Sequence, residues 1–376
     1  MRCAYVADGA VLNGFTLYDG ATLATGDTGA GGPGESGGAI YCTSVNGHAV
    51  DCILSNNAAV WGGGLANGTL NNSFVVLNQA ATYGGGAYYG TLNNCTVVNN
   101  TAGVLAGGTW DSTVRNSIVL YNYYGQLEDL GLAGENYDSD SSFPNYAYTC
   151  TSPLPTSGTG NLDVVPQFLE LYHQAITSPC VGAGSAAYAT GYDLDGQPWN
   201  TRPSMGCSEV VPANLTGPLS VIVKSVWTNV LVNREGAYSA FITGRAAWGQ
   251  WSFGDGVTVS NTGAGAGHAW TNTGNYIVTF TAYNNDHPQG VTGSLPVVVE
   301  QPDLPQLQSA ELTTNGIQFE FAGQFSVNYT VQYATNLVPP VAWQTLQTID
   351  YNYENTLKIT DPAVTNATRF YRVLAQ

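Results

Sequence analysis

The feature that most constrains the fold of this chain is a segment of about 22 residues that repeats within its first third. Complete copies begin at Trp61 (WGGGLANGTLNNSFVVLNQAAT), Tyr83 (YGGGAYYGTLNNCTVVNNTAGV) and Leu105 (LAGGTWDSTVRNSIVLYNYYGQ), and less regular copies begin at Ser36 and Ala7. Each copy contains short segments, such as FVVL or SIVLY, with the alternation typical of β-strands. One unit of this kind cannot bury its own apolar side, whereas stacked copies share a continuous core. The repeat therefore predicts a stack of parallel β-coils.

Asparagine occupies one equivalent position in four successive copies: Asn57, Asn78, Asn100 and Asn122. In a parallel stack each residue lies about 4.8 Å above its counterpart, so identical amide side chains can hydrogen-bond from coil to coil. We interpret these asparagines as a structural ladder. A glycine pair also recurs (Gly63–Gly64, Gly85–Gly86, Gly107–Gly108), and we expect glycines to supply the positive-φ corners between strands.

The pattern GGGA…GTLNNCTVVNN resembles the repeats of right-handed parallel β-helices in large secreted bacterial proteins, which are distantly similar to pectate-lyase-like and polymorphic outer-membrane proteins. The resemblance covers residues 1–126. Residues 127–211, which contain NLDVVPQF, SPCVGAGS and YDLDGQPW, resemble the segment that closes such helices, and we expect an irregular cap there. That segment usually ends near DIGAYE, whereas this chain has SMGCSEV.

Two further domains are expected after the cap. Residues 215–300 contain WSFGDG, HAW and TGNYIVTFTAYNN and resemble a polycystic-kidney-disease (PKD) domain, in which Trp251 and Asp255 would be structural. Residues 303–376 contain GIQFEF, YTVQYA and RFYRVLA and resemble a fibronectin type III domain. Both families are immunoglobulin-like β-sandwiches. The predicted fold class is therefore all-β: a parallel β-helix, a cap and two sandwiches.

The charge of the chain limits its partners. Nine basic residues against 26 acidic ones give a net charge of −17, which disfavours nucleic acid and anionic membrane surfaces. Neutral glycans, proteins and divalent cations remain. The chain has no long apolar run for membrane insertion and no recognisable signal peptide. We expect a secreted or cell-surface protein whose export signal is not present in this chain.

Few residues suit catalysis. Between Cys3 and Thr201 the only basic residue is Arg115, four residues after Asp111, whereas a polysaccharide lyase needs a strong base beside its substrate. Asp51 and Asp111 are not on adjacent coils and form no obvious hydrolytic pair. The sequence thus favours a non-catalytic structural or adhesion protein. The alternative is a carbohydrate-binding or polysaccharide-degrading β-helix protein.

Two acidic clusters offer the hard oxygen ligands that calcium prefers. Asp193 and Asp195 lie in YDLDGQ, and Glu135, Asp138 and Asp140 lie in ENYDSDSS. Calcium is therefore a possible cofactor at either cluster, with solvated turns as the alternative.

Six tyrosines of the repeat region are candidates for a glycan-binding face: Tyr83, Tyr88, Tyr89, Tyr121, Tyr123 and Tyr124. Their rings could stack on sugars or could cover the apolar sides of the coils. Glycans and surface proteins are the partners that this region predicts.

Seven cysteines leave at least one unpaired within the chain. Cys150, Cys180 and Cys207 lie in the predicted cap, where a disulfide is expected in an oxidising compartment. The first choice is Cys150 with Cys180, and the second is Cys180 with Cys207.

The chain begins almost inside a coil, which predicts an open β-helix end with unpaired backbone groups. A second copy of the chain could cover that end by head-to-tail contact, giving an oligomer or a fibre.

Overall fold

The computed structural model describes residues 1–22, 32–125, 133–138, 145–260, 263–324, 327–350, 356–362 and 368–375, and its regular structure is almost entirely β. Its contacts divide the chain into two compact units. The first consists of Met1–Lys224, Tyr238–Ala266 and Val278–Leu295, and the second of Ser225–Ala237, Gly267–Ile277 and Pro296–Gln376. In the described ranges the helical structure is a single 3-10 turn at Pro212–Asn214, and no helix is long and apolar enough to cross a membrane.

The N-terminal half of the chain contains short strands of two to five residues. They are β1 (Ala4–Val6), β2 (Val11–Asn13), β3 (Thr16–Tyr18), β4 (Ile40–Cys42), β5 (His48–Val50), β6 (Ile53–Ser55), β7 (Ala58–Trp61), β8 (Leu65–Ala66), β9 (Thr69–Asn71), β10 (Phe74–Val76), β11 (Gln79–Tyr83), β12 (Ala87–Tyr88), β13 (Thr91–Asn93), β14 (Thr96–Val98), β15 (Thr101–Ala102), β16 (Thr109–Trp110), β17 (Thr113–Arg115), β18 (Ile118–Leu120), β19 (Tyr123–Tyr124), β20 (Ala133–Gly134), β21 (Asn145–Ala147), β22 (Cys150–Thr151), β23 (Phe168–Glu170) and β24 (His173–Gln174).

These strands stack into four sheets, and successive strands of one coil belong to successive sheets. Sheet A has the order β1-β4-β8-β12-β16, sheet B β2-β5-β9-β13-β17-β21, sheet C β3-β6-β10-β14-β18-β22 and sheet D β7-β11-β15-β19-β20. Neighbouring strands are parallel, apart from β19 and β20, and Phe74 pairs with Thr96, 22 residues further on. The predicted parallel β-helix with about 22 residues per coil is confirmed.

The core of the β-helix consists of aliphatic columns that point inward from the sheets. Leu70, Leu92 and Val114 are fully buried in sheet B, and Leu54, Val75, Val97 and Val119 are fully buried in sheet C. A buried aliphatic side chain contributes about 1.5–3 kcal/mol relative to an exposed one. Each coil therefore adds to a core that none of them could form alone.

Most corners of the coil have a residue with a positive φ. From Gly37 to Tyr121 these residues are Asn67 with Gly68, Tyr89 and Asp111 between sheets A and B; Asp51, Asn72, Asn94 and Asn116 between B and C; Asn56, Leu77, Asn99 and Tyr121 between C and D; and Gly37, Gly62, Gly84 and Ala106 between D and A. Asparagine and aspartate tolerate this conformation better than other residues with a Cβ. From Gly37 to Tyr121, Asn or Asp therefore builds the corners between sheets B and C, whereas glycine or alanine builds those between D and A.

The recurring glycine pairs have a different role from the one expected. Gly85 and Gly86 have ordinary backbone angles, so the expectation that these pairs supply positive-φ corners is wrong for them. A Cβ on Gly86 would lie 2.6 Å from the carbonyl oxygen of Gly108, and one on Gly85 would lie 2.2 Å from that of Thr101. Glycine is required here because neighbouring backbone segments leave no room for a side chain.

The asparagine side chains form a continuous hydrogen-bonded line through the stack. The Nδ2 of Asn57 donates to the Oδ1 of Asn78 at 2.8 Å, and Asn78 donates to Asn100 and Asn100 to Asn122, each at 2.9 Å. Asn122 donates to Asn136 at 3.2 Å, which adds a member that the 22-residue spacing does not reveal. Each acceptor Oδ1 also receives the backbone N–H of the asparagine one coil earlier.

Two strands from the segment expected to form a cap continue the β-helix. β21 pairs in parallel with β17, and β22 pairs in parallel with β18. The antiparallel hairpin β23–β24 follows. The domain limits drawn from the sequence remain predictions.

The remainder of the chain has longer strands. They are β25 (Ser220–Ser225), β26 (Asn229–Leu231), β27 (Gly236–Thr243), β28 (Trp248–Ser252), β29 (Thr258–Ser260), β30 (Gly265–His268), β31 (Gly274–Tyr283), β32 (Val291–Glu300), β33 (Leu307–Thr313), β34 (Gly316–Ala322), β35 (Tyr329–Ala334), β36 (Gln344–Ile349), β37 (Thr356–Asp361) and β38 (Phe370–Ala375).

These strands form four sheets that are mainly antiparallel. The orders are β25-β27-β30, β26-β32-β31-β28-β29, β33-β34-β37 and β36-β35-β38. The expectation of β-sandwiches after the β-helix is confirmed, whereas the PKD and fibronectin type III assignments remain predictions. Trp251 is fully buried and its indole N–H donates to the carbonyl of Gly263, while Asp255 accepts the backbone N–H of Val257.

Candidate functional site

Five aromatic rings lie in contact on the β-helix and form what we call the aromatic patch: Trp61, Tyr83, Tyr88, Tyr89 and Trp110. The ring centroids of Tyr83 and Trp110 are 4.3 Å apart and nearly parallel. Trp61 lies 5.3 Å from Tyr83 and 5.5 Å from Tyr88, and Tyr88 meets Tyr89 edge to face at 4.5 Å. These distances are typical of favourable aromatic pairs.

The parallel register positions these rings. Trp61 and Tyr83 end adjacent strands of sheet D and are direct partners. Tyr88 and Trp110 end adjacent strands of sheet A and are also partners. The two pairs flank the corner between sheets D and A, so rings from successive coils interlock there.

Tyr89 is the most exposed member of the patch. Its side chain is 46% exposed, whereas Tyr88 is only 7% exposed. Burial, followed by the neighbouring Tyr89 and Asp111, raises the pKa of Tyr88 to about 12, so its phenol is uncharged at neutral pH. Tyr88 therefore serves mainly as packing, and Tyr89 is available to a ligand.

The structure gathers only part of the predicted tyrosine face. Tyr83, Tyr88 and Tyr89 lie together, whereas Tyr123 and Tyr124 form β19 in sheet D and Tyr121 lies at a corner between sheets C and D. Trp61 and Trp110 were not among the predicted residues. Their signal was present in the sequence, because they occupy the repeat positions equivalent to Tyr83 and Tyr88.

The residues weighed for catalysis lie apart. Asp51 is at a corner between sheets B and C, where it accepts a hydrogen bond from Asn72 at 3.3 Å. Asp111 is at a corner between sheets A and B. The guanidinium of Arg115 lies over the ring of Tyr188, 5.2 Å from its centroid. Asp51 and Arg115 thus have different neighbours.

A polar cluster, which we call the Asp195 network, lies elsewhere in the first unit. The Oδ2 of Asp195 lies 2.7 Å from Nη1 of Arg245, 2.9 Å from Nε2 of His173 and 2.9 Å from Oγ of Ser208. The hydroxyl of Tyr172 donates to Oδ1 at 3.0 Å. The remaining ring nitrogen of His173 lies 3.2 Å from Glu170.

The network shifts two ionisations in opposite directions. Burial lowers the pKa of His173, but hydrogen bonds to Asp195 and Glu170 outweigh burial and Arg245, and the net pKa is raised. Burial raises the pKa of Asp195, but His173 and Arg245 outweigh it and hold that pKa well below its usual range. Its carboxylate neighbours favour a protonated His173, whereas Nη1 of Arg245, which lies 2.7 Å from Nε2 of His173, opposes that charge.

These shifts predict a pH-dependent stability. The stability that His173 contributes is fully present below the pKa that it has in the unfolded chain, and it is lost as pH rises through the raised pKa of the folded chain. The stability that Asp195 contributes is present above its unfolded pKa, and it is lost as pH falls through the lowered pKa of the folded chain. The network should therefore stabilise the chain most between about pH 4 and 6.5. Thermal melts from pH 4 to 9 should show a loss of stability above about pH 6.5 that is smaller in His173→Gln. Equal losses in both proteins would contradict the role of His173.

The calcium candidates face N–H donors. The Oδ1 of Asp193 accepts the backbone N–H groups of Asp195 and Gln197, and its Oδ2 accepts that of Glu209. Burial raises the pKa of Asp193 to about 6. Beside the carboxylate of Asp195, the guanidinium of Arg245 occupies the position where a cation would bind.

The second acidic cluster is described only in part. Glu135 accepts the backbone N–H of Ala106 at 2.7 Å, and Asp138 is buried. Asp140 lies outside the described residues. Within the described ranges no group of three or more His, Cys, Asp or Glu side chains is arranged to hold a metal ion. Calcium binding remains a prediction.

All seven cysteines are free thiols in the structure. Cys150 and Cys180 are buried in one apolar cluster. Cys207 packs in a different cluster, with Phe74 and Val98. The structure therefore brings together the first-choice pair, and a disulfide between them remains a prediction.

Comparisons with known proteins do not identify a family for this chain. No protein-family model matches the chain, and no curated protein matches it. One solved structure with partial similarity is described as the structural basis for the promiscuous specificity of the carbohydrate-binding modules from the β-sandwich superfamily. It is 12% identical, with a TM-score of 0.22, over 42% of this chain and 96% of the other. A TM-score this low does not establish a common fold.

Proposed function

We propose that this chain is a non-catalytic, secreted or cell-surface adhesion protein that binds neutral glycans through the aromatic patch. The observation that supports the proposal is the interlocking of five rings from successive coils, with Tyr89 left nearly half exposed at a corner. Residues 215–300 and 303–376 would then be PKD-like and fibronectin-like structural modules.

The chemistry of the patch fits an uncharged sugar. The face of an aromatic ring is electron-rich, and the C–H groups on one face of a pyranose carry small positive charges, so the two attract. The chain carries a net charge of −17, which repels uronate-containing polysaccharides. The patch also carries polar groups without charge, such as the hydroxyl of the exposed Tyr89, which can bond to a sugar hydroxyl.

The corner tyrosines provide a matched test. Tyr89 is 46% exposed and Tyr121 is 41% exposed, and both have a positive φ at a corner of the coil. We expect Tyr89→Ala to weaken binding to a neutral polysaccharide by about tenfold, the equivalent of about 1.4 kcal/mol, because the truncation removes an aromatic ring of the kind that is enriched among the residues that dominate binding energy. Tyr121→Ala should bind as the wild type does. The measurement is affinity electrophoresis of the whole chain in gels containing neutral glucans, mannans or soluble chitin derivatives.

Two controls accompany that test. Thermal melts of both variants should match each other, since both side chains are exposed. Equal retardation of Tyr89→Ala and wild type in every gel would rule out the patch as the binding site. New reducing ends or unsaturated products after incubation would instead favour the polysaccharide-degrading alternative.

Self-assembly is a second candidate function, supported by the first coil. β1, β2 and β3 are edge strands of sheets A, B and C, and their side chains include exposed Tyr5, Val11 and Tyr18. Exposed apolar edge strands are templates for pairing with another chain. A second copy of this chain would cover them by head-to-tail contact. Light scattering that gives only the monomer mass across a wide concentration range would exclude this candidate.

A further inference from the structure

The second compact unit contains a cavity of about 390 Å³ formed entirely by the segment between Ser225 and Ala237. Its lining includes Trp227, Asn229, Arg234 and Glu235. Its volume falls within the range of about 300–1,000 Å³ that is usual for small-ligand sites. The cavity is independent of the aromatic patch, which belongs to the first unit.

Hydrogen bonds hold the walls of the cavity. β26 pairs in parallel with β32, so that Asn229 lies opposite Val298. The turn that follows β26 is fixed by the backbone N–H of Val232, which donates to Glu300 at 3.0 Å, and by that of Asn233, which donates to Trp270 at 2.7 Å. Such a frame is formed before any ligand binds, which reduces the entropy lost on binding.

Both ends of the segment are held together as well. The hydroxyl of Ser225 lies 2.8 Å from the carbonyl oxygen of Ala237 and 2.9 Å from that of Trp227. The backbone N–H of Trp227 donates back to the same hydroxyl at 3.2 Å. Ser225 thereby fixes the backbone that carries the tryptophan.

Two large apolar side chains that line the cavity are mostly exposed to solvent. Trp227 is 60% exposed and its neighbour Val226 is 85% exposed. A ligand that covers the indole would remove this apolar surface from water.

The polar groups beside the indole suit hydroxyl groups. A sugar hydroxyl both donates and accepts hydrogen bonds, and the cavity is lined by Arg234, Glu235 and Asn229, whose guanidinium, carboxylate and amide groups include both donors and acceptors. The adjacent positive and negative charges offset each other, which favours an uncharged ligand. We infer that this cavity binds one sugar residue of a neutral glycan, with its ring on the face of Trp227.

This inference extends the proposed glycan binding to a second site that consists of different residues. If one glycan reaches both sites, the second contact becomes intramolecular and strengthens attachment without any change in either site. The two sites are therefore tested together, with a reporter on each.

Fluorine NMR of the full chain labelled with 5-fluorotryptophan gives those reporters. The chain has eight tryptophans, whose resonances can be assigned by single Trp→Phe substitutions. Cellobiose, maltose, mannobiose and chitobiose are the neutral probes, and digalacturonate is the acidic comparison. We expect the Trp227 resonance to shift saturably with at least one neutral probe and not with digalacturonate.

A variant that keeps the reporter tests the polar contacts. Asn229→Ala removes one amide from the cavity and should weaken the binding seen at Trp227 by about fivefold, the equivalent of one hydrogen bond. Phe241→Ala, which removes an exposed aromatic ring outside the cavity, should leave that binding unchanged.

The outcomes for the two sites are distinguishable. A Trp227 resonance that no neutral probe shifts, while those of Trp61 or Trp110 move, overturns the cavity site and leaves the aromatic patch. The reverse result overturns the patch and leaves the cavity. A Trp227 shift that is unchanged in Asn229→Ala, or that digalacturonate reproduces, contradicts the assignment to a neutral sugar.

Discussion

Replacing Asn100 with leucine should lower the free energy of unfolding by about 4 kcal/mol or more, because each buried polar group left without a partner costs about 1–3 kcal/mol. The side chain is fully buried. Its Nδ2 contacts the carbonyls of Val75 and Val98 and the Oδ1 of Asn122, and its own Oδ1 accepts two hydrogen bonds from Asn78. Leucine has nearly the same size but makes none of these bonds. Guanidinium denaturation followed by circular dichroism measures the difference.

The neighbouring residue provides the control. Asn99 is exposed and has a φ of 55°, a conformation that glycine adopts readily. Asn99→Gly should therefore change stability by no more than about 0.5–1 kcal/mol. If Asn100→Leu unfolds at the same denaturant concentration as Asn99→Gly, the ladder does not stabilise the stack.

Gly86→Ala should destabilise the β-helix by about 3 kcal/mol or more, although alanine is favoured over glycine in most backbone conformations. The new Cβ would lie 2.6 Å from the carbonyl oxygen of Gly108 and 2.7 Å from a methyl group of Val97. The oxygen belongs to the backbone of the next coil, so it cannot move without disturbing the parallel register. Thermal melting and amide hydrogen exchange should both show the loss.

A second glycine isolates the steric cause. Gly265 also has an ordinary φ, and a Cβ added there meets no atom within 4 Å. Gly265→Ala should be neutral or slightly stabilising, because it restricts the unfolded chain. A small effect of Gly86→Ala, similar to that of Gly265→Ala, would mean that the coils can separate to admit a methyl group.

The sequence predicts those parts of the fold that depend on regular spacing. Asn57, Asn78, Asn100 and Asn122 follow the repeat, and one stacking rule relates them all. Asn136 joins the same line only 14 residues after Asn122, so the period cannot reveal it. Where the repeat is interrupted, its period therefore no longer predicts which residues of a β-helix lie next to each other.

Spacing also fails to distinguish between two roles of glycine. Gly84 and Gly86 are close in the same repeat, yet Gly84 has a φ of 66° and Gly86 does not have a positive φ. Glycine is needed at Gly84 because the backbone there has a positive φ, and at Gly86 because the backbone of another coil leaves no room for a side chain. Only the position of the neighbouring backbone separates the two, and that position is a property of the assembled stack.

The candidate sites show the same limit. Tyr83 and Tyr88 could be placed on one surface from the repeat, and Trp61 and Trp110 share that periodicity. The Asp195 network, by contrast, joins Asp195 to Arg245, 50 residues away in the chain. The cavity at Trp227 depends on the pairing of β26 with β32. Neither long-range pairing leaves a local pattern in the sequence.

The register of the β-helix also bears on how such a chain can change in length. Every coil from Trp61 onward supplies one strand to each sheet and one asparagine to the ladder, and it pairs with its neighbours through those positions. An in-frame duplication of one whole coil would therefore repeat these partners, although not the hydrogen bonds that Asn72, Asn94 and Asn116 make to Thr190, Tyr188 and Ser185. Loss of a single residue within a strand would displace all the columns at once. Chains of this kind can thus lengthen or shorten over evolution in steps of one coil without a new packing arrangement.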